Sequence, residues 1–151
     1  MTQAATLAQL ASSGALSADT SGNVSIGGRI LVNSQPAFNA QWNGTTWTSL
    51  YNNGNNFSTA TGRFTAPVDG KYFFSTAMLK DAAQSILDVT LQTSTSVIIA
   101  KARYSATSVY GTASCSGVIN LTAGQYVSVI INNGAVYADS QWNNFTGYLI
   151  G

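Results

Sequence analysis

Histidine and glutamate are absent from this 151-residue chain, cysteine occurs once, and lysine and arginine together number six. Each shortage removes a class of function. Without histidine the usual proton shuttle and commonest metal ligand are missing, and there is no Cys or Glu cluster to hold zinc. The five aspartates, at positions 19, 69, 81, 88 and 139, are too scattered for the dense oxygen-ligand loop of a calcium site. No glycine-rich phosphate loop occurs. Neither an enzyme nor a cofactor is therefore expected. Six basic residues without a run of like charge cannot form the stripe that neutralises phosphates, which argues against nucleic acid and anionic membrane as partners. The lone Cys115 shares a strand face with Gly117, Ile119 and Leu121 and reads as a small buried apolar residue. The amino end, MTQAATLAQLASSG, lacks the basic start and continuous apolar run of a secretion signal, and no segment is long enough for a membrane-spanning helix. The expectation is a protein folded in the cytosol where it is made.

Only 7% of residues are charged, against roughly a quarter in an average soluble domain, while 45% are hydrophobic. The polar surface must be built from Ser, Thr, Asn, Gln and Gly. Residues 1–28 read as an anchor and linker: Ala4, Leu7, Ala8 and Ala11 share one helical face too short to be stable alone, so they need a docking partner. Ser12 to Gly28 is rich in small polar residues around a short strand at Val24 and Ile26. From residue 29 to 151 the period is that of strands. Ten are predicted: Gln35 to Trp42, Thr46 to Tyr51, Asn56 to Ser58, Arg63 to Ala66, Lys71 to Leu79, Ile86 to Thr93, Val97 to Tyr104, Ala113 to Thr122, Tyr126 to Asn132 and Asn144 to Ile150. Asn43-Gly44, Asn53-Gly54, Thr61-Gly62, Asp69-Gly70 and Asn133-Gly134 supply turns, with the Asp69 side chain expected to bond its local backbone. The fold class is all-β, a ten-stranded antiparallel jelly-roll sandwich.

The strand after Gly70 is apolar on both faces. Tyr72, Phe74, Thr76 and Met78 alternate with Phe73, Ser75, Ala77 and Leu79, so either the strand lies between two layers of one subunit, or one set fills the sandwich and the other meets a neighbouring subunit. Phe73 and Ala77, with Tyr148 and Ile150 of the last strand, are the predicted subunit interface of a homotrimer. The spacing of Asn52, Phe57, Phe64, Gly70, Tyr72 and Phe74 resembles the signature of the globular head of complement component one-q, a branch of the tumour-necrosis-factor-like jelly rolls. Phe145 to Leu149 is similar to that family's closing strand, and Leu121 to Gln125 to the turn before its penultimate strand. Two positions depart from it: Thr46 stands where an aromatic is expected, beside Trp47, and Thr76 where the motif closes with Phe or Tyr. The family's collagen stalk is absent. Some heads of that family bind calcium at loop carboxylates, for which Asp81, Asp88 and Asp139 would be the candidates here.

Ser17 to Gly28 resembles segments that recur in bacteriophage fibre and spike proteins. That resemblance implies a virion surface protein, assembled in the host cytoplasm, docked on a capsid or tail protein and displaying its head as a decoration or short spike. The alternative is a tail-fibre or spike knob that binds a host receptor or surface glycan. For that role Tyr104, Tyr110, Tyr137 and Trp142, aromatics near predicted loops, are the candidate ligand contacts.

Overall fold

The computed structural model describes residues 16–18, 24–26 and 35–150. The chain divides into two units, Met1–Asn33 and Ser34–Gly151. In the first, β1 (Leu16–Ala18) pairs antiparallel with β2 (Val24–Ile26), Leu16 opposite Ile26 and Ala18 opposite Val24. The strand at Val24 was expected; its partner falls in what reads as linker. Ala4, Leu7, Ala8 and Ala11 lie outside the described residues.

The second unit holds ten strands, one on each predicted segment: β3 (Ala37–Trp42), β4 (Trp47–Asn53), β5 (Phe57–Ser58), β6 (Arg63–Thr65), β7 (Gly70–Lys80), β8 (Ile86–Thr93), β9 (Ile98–Ser105), β10 (Gly111–Leu121), β11 (Tyr126–Asn133) and β12 (Asn144–Leu149). They form two antiparallel five-stranded sheets, ordered β10-β7-β12-β3-β4 and β5-β6-β11-β8-β9. The boundaries shift for local reasons. Thr46 drops out of β4 because the Asn43 side chain accepts from the backbone N–H groups of Thr45 and Thr46, folding both into the turn. The loop between β11 and β12, for which no helix was expected, ends in a single 3-10 turn, Ser140–Trp142, where the Asp139 side chain caps the Gln141 N–H.

Five of the six phenylalanines meet between the sheets. Phe38 is their hub: its ring lies 4.7 Å from Phe57, 5.0 Å from Phe64 and 4.8 Å from Phe145. The packing is tight enough to dictate Gly147, where a Cβ would stand 2.4 Å from the Phe74 ring and 2.9 Å from that of Phe38. Trp47 supplies the aromatic that Thr46 lacks, edge-on to Phe57 and Phe145. Thr76 closes the motif differently from Phe, buried with its hydroxyl donating 2.7 Å to the Asn144 carbonyl. Cys115 packs half-buried against this core, and burial pushes its thiol up, away from the reactive thiolate.

Strand β7 alternates as predicted, with Tyr72, Phe74, Thr76 and Met78 buried. Its last inward position holds a lysine. Lys80 is fully buried, and its ammonium donates to the Asp81 and Gln84 carbonyls, so that it cross-ties the following loop. One expectation needs correcting. The Asp69 carboxylate does not bond its local backbone but accepts from the Ala123 N–H at 2.8 Å, because the turn between β10 and β11 folds over the start of β7.

The chain enters and leaves this unit at one end. Leu149 N–H donates to the Pro36 carbonyl and Ile150 N–H to that of Lys71, which places both Gln35 and Ile150 beside the start of β7. Lys80 marks the opposite end, roughly 33 Å away at the usual strand rise.

Candidate functional site

The outer face of the first sheet is one of two candidate surfaces. Strand alternation turns Phe73, Ser75, Ala77 and Leu79 of β7 away from the core, beside Thr146 and Tyr148 of β12 and Ser114, Ser116 and Val118 of β10. Phe73 lies directly between Tyr148 and Val118 in register, its ring 5.3 Å from that of Tyr148. Tyr148 is 44% exposed, Ile150 49% and Val118 51%, so this end carries a contiguous apolar patch open to solvent. Ala77 sits farther along, between Asn144 and Ser114, where side chains are small. The predicted interface residues Phe73, Tyr148 and Ile150 are thus brought together, and Ala77 shares their face. Val118 was missed. It reads as one apolar residue in a polar strand, and only the β10–β7 register places it beside Phe73.

Among the outward positions of β7, β10 and β12 the only charge is Lys71, at the end of the face. The flanking strands, GTASCSGVINL of β10 and WTSLYNN of β4, contain neither charge nor proline. Such edges are ordinarily protected by charge, proline or a covering partner.

The second surface is a cleft of about 330 Å³ at the Lys80 end, lined by Leu79, Tyr110, Tyr137 and Trp142. The Tyr110 and Tyr137 rings meet edge to face, 5.1 Å apart at 74°. Trp142 is 56% exposed and Tyr110 54%. What holds the cleft is Asn143, fully buried beneath it: its side-chain oxygen accepts from Leu79 N–H at 2.8 Å, and its amide nitrogen donates to the carbonyls of Trp42, Tyr137 and Asp139. A second tie runs from Tyr137 N–H to the Leu79 carbonyl. Three of the four predicted ligand aromatics therefore converge. Tyr104 does not join them: it packs half-buried with Met78, Leu87, Val89 and Ala113, against Gly111, where a Cβ would stand 2.0 Å from its ring.

A third depression, about 410 Å³, lies on the second sheet over Asp88, Thr90, Lys101, Arg103 and Asn132. Two of its three charges are spent on each other. Arg103 grips Asp88 through two hydrogen bonds of 2.6 and 2.8 Å, and the guanidinium holds that carboxyl below its usual range. The other two carboxylates considered for calcium are also engaged, Asp81 with Ala83 N–H and Asp139 with Gln141 N–H.

Residues 33–150 match the C1q domain family. Over 115 residues the chain is 33% identical to Complement C1q tumor necrosis factor-related protein 3 of Mus musculus, covering 75% of this chain and 47% of that protein. It is 32% identical over 100 residues to Caprin-2 of Danio rerio, covering 66% and 11%. The chain thus spans less than half the length of either relative. The globular domain of zebrafish complement 1qA protein superposes with a TM-score of 0.63 at 22% identity, over 78% of this chain and 98% of that one. Murine APRIL superposes with a TM-score of 0.64 at 13% identity, over 77% and 99%. Sequence match and jelly-roll topology agree: the chain belongs to the C1q domain family.

Proposed function

We propose that this chain is a non-enzymatic, homotrimeric head module that associates through the outer face of the first sheet. The observation that carries the reading is the uncharged face itself, with Val118, Tyr148 and Ile150 open to solvent at one end around a half-buried Phe73. A neutral edge seated on a neighbour's neutral face is a heterologous contact, and such contacts form a ring where the rotation between subunits closes. Full burial of each large apolar side chain contributes about 1.5–3 kcal/mol, set against the entropy of association. Light scattering on the purified protein at micromolar concentration is expected to give three times the chain mass. A folded monomer there overturns the reading.

The setting we propose is a phage particle, with the head shown outward as a capsid decoration or short spike. Its support is the resemblance of Ser17 to Gly28 to phage fibre segments, together with the short apolar series Ala4, Leu7, Ala8 and Ala11 as the docking piece. The relatives named above are animal proteins whose names carry no such role. Deleting residues 1–28 is expected to leave a folded trimer that no longer binds particles. Normal decoration by the truncated head would place the docking surface in the head instead.

A further inference from the structure

We infer that the Leu79, Tyr110, Tyr137 and Trp142 cleft binds a neutral saccharide. At about 330 Å³ it falls within the range of small-ligand sites, roughly 300–1,000 Å³. No charged side chain lines it. A phosphate, sulfate or sugar acid would find no cation there, and a quaternary ammonium no counter-ion, since the nearby Asp139 carboxylate caps the 3-10 turn.

The choice between a sugar and a purely apolar group rests on the ring edges. The hydrogen bonds of this loop run through backbone, Asp139 and Asn143, and leave the Tyr110 and Tyr137 hydroxyls and the Trp142 indole N–H without a partner among the described residues. An aliphatic side chain covering the cleft would desolvate these groups and return nothing. A pyranose has what they need: an axial C–H face to lie on an exposed aromatic face, and hydroxyls around its rim to bond the phenols and the indole. The perpendicular Tyr110 and Tyr137 rings form a corner, with the exposed Trp142 ring beside it, so a flat ring can be held on more than one side.

Position favours the same use. The cleft stands at the Lys80 end of β7, opposite the end where the chain enters and leaves the unit. The rim is built rather than incidental, because Asn143 fastens three segments of backbone beneath it.

The test is titration of the intact chain with a panel of neutral methyl glycosides (glucoside, galactoside, mannoside, N-acetylglucosaminide), read by tryptophan fluorescence and by shifts of the Tyr110, Tyr137 and Trp142 ring resonances. At least one glycoside is expected to saturate in the millimolar range, with shifts confined to those rings. Trp142→Ala, an exposed position, should leave the melting temperature unchanged and weaken binding about tenfold or more, whereas Trp142→Phe should retain most of it. Three results overturn the inference: no saturable binding by any glycoside, binding indifferent to Trp142→Ala, or a Trp142→Ala protein whose subunit number changes. The last would make the cleft a seam between copies, and light scattering on the unmutated protein separates that outcome from failure of the trimer itself.

Discussion

A buried asparagine is tolerated only where donors and acceptors converge on both ends of its amide, and four backbone groups from three segments do so at Asn143. Asn143→Ala strands the Leu79 N–H and the carbonyls beneath the cleft. It should cost at least about 1–3 kcal/mol, read as a lower urea midpoint with the slope unchanged. Asn143→Asp, equal in shape, offers a second acceptor to three carbonyls and should be no milder. Nothing in QWNNF marks this residue for burial, because two of its four partners lie 64 and 101 positions away. Asn52 is the legible counterpart: it exchanges hydrogen bonds with the Phe57 carbonyl and N–H five residues on, so local sequence suffices. Tyr72 adds a pH dependence. Its hydroxyl donates 2.8 Å to the Val68 carbonyl, and burial raises it above the ordinary phenol value of 10.0. The folded state thus holds that proton more tightly than the unfolded chain. Stability from this group is complete below pH 10.0 and falls as pH rises through the higher folded value. Melting curves should steepen their decline above that pH, and Tyr72→Phe should flatten it.

Strands were legible where period two and turn residues coincide, and for that reason all ten segments of the second unit are found where alternation predicts them. Pairing was not. The row Phe74, Gly147, Phe38 across β7, β12 and β3 joins residues up to 109 positions apart, and the glycine in its middle has meaning only once both rings are in place. The same row explains why Phe38, outside the signature that betrays the family, is the hub of the core. Phe38→Ala and Phe74→Ala should each cost about 3–5 kcal/mol in chemical denaturation, as large-to-small changes at sites with no exposed surface. Phe73→Ala, one position along the same strand but outward, should change the unfolding of an isolated subunit far less. Equal costs at Phe73 and Phe74 would mean that the parity of β7 is reversed.

Subunit number is where the sparse charge of the whole chain has its consequence. The described residues contain one ion pair, Arg103 with Asp88, and it lies on the second sheet, away from the proposed contact face. Association through Phe73, Val118, Tyr148 and Ile150 would be apolar, and Debye screening acts on charges rather than on buried area. Two measurements then move in opposite ways. The melting temperature should rise with protein concentration, because folding is coupled to assembly by mass action. It should barely respond to sodium chloride between low and physiological strength. Tyr148→Asp places a carboxylate in the apolar patch, so it should abolish the concentration dependence and give a monomer at micromolar concentration. The far-ultraviolet spectrum should be retained, since the Tyr148 side chain points away from the core. A Tyr148→Asp protein that keeps the mass and concentration dependence of the parent would show that the subunits meet elsewhere, and a parent trimer that dissociates on adding salt would show that charge holds it.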